Sequence, residues 1–153
     1  MDRCDQAIQH AVIDTLENMA FVEVTPMEPN STETVSDQDM TVSLLIHNPI
    51  QGELRIKMPH TVVAQITETV YGMPAEELSE QILHDNLGEV INIIAGRFMT
   101  ELLSEGEMFQ LGLPELNPID IADASIPSRT WRYQIDTAEF SVTVIGNKLL
   151  KIT

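Results

Sequence analysis

Residues 79–103 read SEQILHDNLGEVINIIAGRFMTELL, and the spacing of their apolar positions decides the fold. Leu87, Ile91, Ile94, Phe98 and Leu102 recur every three or four residues, the period of one helix face. Ser79 is a residue type that caps helix starts, and Gly106 lies just beyond the run. The pattern predicts a helix from about Ser79 to Leu103 with one core-facing stripe. On its opposite side Asp85, Glu89, Asn92 and Gly96 follow at i, i+4, i+7 and i+11. Two carboxylates, a carboxamide and a glycine thus line one ridge, which Ile93 and Met99 are expected to flank with apolar surface. Gly96 would let a partner's backbone approach closely. Spacing alone leaves two readings open: a docking ridge, or a solvated face carrying an Asn and a Gly by chance. Both residue types cost helix stability relative to Ala, up to roughly 1 kcal/mol for Gly, which favours a reason for their presence.

Working outward, residues 59–71 predict a helix of about three turns, opened by Pro59 and closed by Gly72. Before it, residues 40–47 and 52–58 form a hairpin pattern around Asn48-Pro49-Ile50-Gln51. In the second strand Leu54, Ile56 and Met58 alternate with Glu53, Arg55 and Lys57, as in a strand with one wet face. Residues 5–19 predict a first helix through Ala7, Ile8, Ala11, Val12, Leu16 and Met19. A short strand, Phe21 to Thr25, is expected next, then an exposed acidic loop from Met27 to Asp39. After the long helix, residues 107–128 carry Pro114, Pro118 and Pro127 and predict a connection holding one short strand. Strands are expected near 130–136, 139–145 and 148–152. The sum is a single α+β domain spanning 1–153, with helices packed on a mostly antiparallel sheet.

Composition narrows the function. Lys plus Arg number 8 against 24 for Asp plus Glu, a net charge of −16. Nucleic acids and anionic membranes need clustered cations, so both are excluded as partners, and a basic partner surface is favoured. The acidity serves solubility equally well. One cysteine, Cys4, allows neither an intramolecular disulfide nor a thiolate metal cluster, and near a fraying terminus it is no candidate nucleophile. His10, His47, His60 and His84 lack metal-ligand spacing, so no metal site is expected. No apolar run spans a bilayer and no signal peptide opens the chain, which predicts a cytoplasmic protein. Trp131 and Tyr133 alternate with Arg132 on a strand and read as packing or dimer contacts.

The run Asp85-Asn-Leu-Gly-Glu89-Val-Ile-Asn92-Ile-Ile-Ala-Gly96 resembles the helix motif of the CheC, CheX and FliY chemotaxis phosphatases: Asp or Ser, three residues, Glu, two residues, Asn, and often Ala-Gly. Upstream, Gly52-Glu-Leu-Arg-Ile, Pro59, a helix and Tyr71-Gly72-Met73 follow that family's order. The resemblance covers residues 40–104 well and the ends loosely. It implies a CheC-like fold and a phosphatase acting on the aspartyl phosphate of a CheY-like receiver domain. Asn92 would orient the attacking water, Glu89 would engage the receiver's active-site Lys, and Asp85 would support docking with Ile93, Gly96 and Met99. The chain would need no cofactor of its own, because Mg²⁺ would belong to the receiver. Some relatives carry the motif on two helices. Here Glu17 is followed three residues on by Ala20, so one site per chain is expected, as in the CheX type. The same resemblance implies a homodimer, which exposed strand edges could form. It also admits a different reading, a non-catalytic binding or scaffold module of the flagellar-switch kind.

Overall fold

The computed structural model describes residues 2–28, 38–119 and 125–152. Its centre is the predicted hairpin, β2 (Asp39–Asn48) and β3 (Gly52–Pro59), whose register sets Val42 opposite Ile56 and Leu44 opposite Leu54. β6 (Ser128–Ile135) and β7 (Ala138–Ile145) form a second hairpin, and β7 pairs with β3 so that Val142 meets Ile56 and Val144 meets Leu54. Alternation therefore gathers Val42, Leu44, Leu54, Ile56, Val142 and Val144 on one buried face. The other face carries polar pairs such as exposed Thr130 and half-exposed Thr143, whose hydroxyls lie 2.8 Å apart. Two short strands, β4 (Gln110–Leu111) and β5 (Glu115–Leu116), pair with the outer side of β2, and β1 (Thr25–Pro26) with the outer side of β6. Among the described residues the sheet is antiparallel throughout, in the order β1-β6-β7-β3-β2-β4.

Three helices cover the apolar face. α1 (Arg3–Ala20) is capped by Asp2, which accepts from the Asp5 amide while the Asp5 carboxylate accepts from the Asp2 amide. α2 (His60–Tyr71) ends where Gly72 takes φ +65, a left-handed cap that suits glycine. α3 (Glu80–Leu102) begins with Ser79, whose hydroxyl accepts from the Ile82 amide. Its predicted stripe, Leu87, Ile91, Ile94, Phe98 and Leu102, is fully buried in the core.

Several expectations need correction. Phe21 to Thr25 is not a strand: Phe21 is the left-handed cap of α1 at φ 55, and only Thr25 and Pro26 pair with β6. Residues 107–128 contain two short strands rather than one, with 120–124 outside the described residues. In the expected acidic loop, Asp39 already belongs to β2, and 29–37 lie outside the described residues. The terminal segment is a helical turn, α4 (Asn147–Leu150), not a strand. β7 is hydrogen-bonded on both sides, so a strand following it finds no free edge there. Instead Leu149 turns inward and is fully buried, against a place that only glycine leaves open: a Cβ on Gly52 would lie 2.0 Å from Leu149 Cδ1. Cys4 does not sit on a fraying end. It is fully buried, and burial pushes its thiol up to about 11, which keeps it protonated at neutral pH.

Candidate functional site

α3 presents its ridge as the spacing requires. Asp85, Glu89 and Asn92 are exposed, and Gly96 is half-exposed. A Cβ on Gly96 would meet nothing within 4 Å, so no internal packing calls for a glycine there. Gln81 Nε2 donates to Asp85 Oδ1 at 2.8 Å and steadies that carboxylate. Glu89 and Asn92 have no hydrogen-bond partner among the described residues. Positions three apart on a helix face hold their Cβ atoms about 5–6 Å from one another, so this carboxylate and this amide reach the same partner surface.

Met99 is not part of that surface. It is fully buried, whereas Ile93 is half-exposed and stays beside Gly96 in a surface groove. A wheel treats the helix as isolated, whereas α1 packs along the C-terminal half of α3. His10 Nδ1 meets Glu101 Oε1 at 2.6 Å across that seam, and His10, Ala11 and Asp14 share a shallow groove of about 450 Å³ with Ile93, Gly96, Arg97 and Phe109. The ridge itself runs from Asp85 to Gly96 as the spacing sets it, and only its expected apolar flank at Met99 is lost.

What holds the N-terminal half of α3 in place was not legible in the motif. Asn86, between Asp85 and the core stripe, is 1% exposed. Its Nδ2 donates to Thr67 Oγ1 at 2.9 Å, and that hydroxyl donates to the Val63 carbonyl at 2.6 Å. The strut ties α3 to α2 directly beneath Asp85 and Glu89. On the other flank Pro114 lies against Gly88, with a Cβ on Gly88 placed 3.4 Å from Pro114 Cβ. At the end of α2, Val70 and Tyr71 are exposed and line a cleft of about 410 Å³ with Asp85, Asn86 and Glu89. One signal for this shelf was present: the stripe Val63, Ile66, Thr67 continues to Val70, one turn beyond the last buried position of α2.

The remaining candidates do not assemble a second centre. His60 and His84 both face Glu80, at 2.8 and 3.9 Å. Trp131 donates its indole N–H to Asp5 Oδ1, and Tyr133 is buried in stacked contact with Phe140, so both pack as expected. Among the described residues, no group of three or more His, Cys, Asp or Glu side chains is arranged to hold a metal ion. None of the described helices is long and apolar enough to cross a membrane.

Comparison with known proteins places this geometry. The family profile described as "Chemotaxis phosphatase CheX" matches residues 40–135, which takes in β2, β3, α2, all of α3 and β6. No curated protein sequence matches the chain. Among solved structures, CheX in the CheX–CheY–BeF₃–Mg²⁺ complex from Borrelia burgdorferi superposes with a TM-score of 0.77 at 18% identity, covering 95% of this chain and 99% of that one. CheX from Vibrio vulnificus gives 0.75 at 15% identity, covering 94% and 96%. FliY from Thermotoga maritima gives 0.67 at 18% identity, covering 97% and 88%. At these identities the likeness is one of fold.

Proposed function

The chain belongs to the CheX family of chemotaxis phosphatases, and from that premise we propose that its α3 ridge stimulates hydrolysis of the aspartyl phosphate on a CheY-like receiver domain. The observation that carries the reading is the exposed pair Glu89 and Asn92, one turn apart on a rigid helix and without partners among the described residues. Phosphoryl transfer to water asks little covalent chemistry of a protein; it asks for positioning and charge stabilisation. The Asn92 amide both donates and accepts, so it can hold a water by one of its lone pairs while donating toward the phosphoryl group. The water attacks phosphorus, the bond to the aspartyl oxygen breaks, and inorganic phosphate leaves with the receiver's carboxylate restored. Glu89 fixes the register by accepting from a lysine of the receiver. Mg²⁺ held by the receiver would neutralise phosphoryl charge.

Such orientation is worth several kcal/mol of barrier when well aligned, roughly 10²-fold or more in rate. The decisive measurement is the decay of a phosphorylated receiver with and without the protein. Asn92→Ala should abolish the acceleration while leaving the fold and its circular dichroism unchanged. Full activity in that variant would refute the mechanism. Binding of the receiver without accelerated decay by the unaltered chain would favour the scaffold reading instead. On this reading the protein would work in the cytoplasm beside its receiver.

Self-association is a second proposal, supported by one open edge. Only Gln134 and Tyr133 of β6 pair with β1, so among the described residues 128–131 have no strand on their outer side. β7 is internal, which confines any edge pairing of the terminal hairpin to β6. Solution mass by light scattering measures it.

A further inference from the structure

The end of α2 leaves an apolar shelf uncovered beside the ridge. Val70 is 38% and Tyr71 45% exposed, and both line the cleft of about 410 Å³ whose opposite wall carries Asp85 and Glu89. The floor is stiff, because Asn86 is held by Thr67. The electrostatics of the cleft have one sign. Asp85 accepts from the neutral Gln81 amide, and neither Asp85 nor Glu89 meets a cation among the described residues. The C-terminus of α2 points its negative dipole end into the same place, with no basic residue in its last turn to compensate. Apolar and aromatic walls with anionic lips fit a guest that is aliphatic along its stem and cationic at its tip. A metal ion fits poorly, since two carboxylates face apolar walls rather than further ligands.

We propose that this cleft receives a lysine or arginine side chain of the docked receiver, its stem lying on Val70 and Tyr71 and its cationic head meeting Asp85. This contact is separate from the lysine assigned to Glu89, and it rests on the receiver reading above. It supplies affinity and selects among receivers rather than assisting the chemistry. Tyr71 adds a ring face on which a cation is favoured. Pairing at Asp85 is partly exposed, so it weakens with salt.

The test is the dependence of receiver dephosphorylation on protein concentration at low and high ionic strength. Tyr71→Ser is expected to raise the half-saturating concentration about five- to tenfold, with the saturated rate changing less than twofold and the salt dependence retained. Asp85→Asn is expected to raise it similarly at low salt and to flatten the salt dependence. Unchanged half-saturation in either variant overturns the proposal. So does a fall in solution mass of Tyr71→Ser with unchanged half-saturation, which would assign the shelf to a second copy of this chain. Asn92→Ala in the same series separates the two claims. If it stays active, the phosphatase mechanism fails; if it alone loses the saturated rate while Tyr71→Ser and Asp85→Asn behave as the parent, only the cleft proposal fails. Tyr71 and Asp85 are exposed, so both variants retain the core, and circular dichroism checks it.

Discussion

Replacing Thr67 by Val should cost nearly as much as, or more than, replacing Thr67 and Asn86 together. Thr67 is fully buried and Asn86 is 1% exposed, so neither has water to fall back on. Thr67→Val keeps the shape but removes the acceptor that Asn86 Nδ2 reaches at 2.9 Å. A buried donor left unpaired costs about 1–3 kcal/mol. Asn86→Leu removes the donor instead. The Thr67 hydroxyl keeps its own bond to the Val63 carbonyl at 2.6 Å, so nothing is stranded and the loss is one neutral hydrogen bond, about 1 kcal/mol. Leu is also the better helix former at that position. In the double variant both ends of the missing bond are apolar, and such paired replacement comes out near neutral. The two single costs should therefore exceed the double cost by about 2–4 kcal/mol. For a chain of this size 1 kcal/mol moves the melting midpoint by about 2–4 °C. Urea titrations of the four proteins, followed by circular dichroism, give the cycle. Costs that add within about 0.3 kcal/mol would show that the strut contributes nothing as a bond. A functional corollary follows, because the strut aims the first half of α3. Thr67→Val should weaken receiver docking beyond what its stability alone explains.

Gly96→Ala should raise stability by about 1 kcal/mol, since its Cβ meets nothing within 4 Å and alanine is the better helix former. The same variant should raise the half-saturating concentration for the phosphorylated receiver, and unchanged docking would remove Gly96 from the interface. At the sheet edge, Met27 donates to the Arg132 carbonyl, so Arg132 turns its backbone groups outward and, by alternation, so does Thr130. Thr130→Pro therefore removes an outward N–H without breaking the ladder to β7, and light scattering should find the variant at half the parent's mass. A parent that is already monomeric, or a variant of unchanged mass, would rule out pairing through β6.

Much of the architecture was readable because it rests on local periodicity. The stripe from Leu87 to Leu102 fixed the long helix to within a residue at each end, and Ser79 and Gly72 marked caps that the chain uses. Alternation in 52–58 gave the buried face of β3. Failures arose where a neighbour outweighs local preference. Residues 148–152 are apolar and strand-like, but β7 offers no edge and Leu149 has a ready place against Gly52. Phe21 is a strand-forming residue, yet it ends α1 in the left-handed region.

The candidate site divides in the same way. Sequence alone determined that Asp85, Glu89, Asn92 and Gly96 share one line, because helical geometry carries side chains at i, i+4, i+7 and i+11 to the same side whatever surrounds them. Only the tertiary structure decided how much of that line faces outward. Packing of α1 against the far half of α3 goes with the burial of Met99, and the end of α2 sets Val70 and Tyr71 beside Asp85. Periodicity is a property of one element, whereas exposure is a property of what the other elements leave uncovered, and those arrive from positions far along the chain.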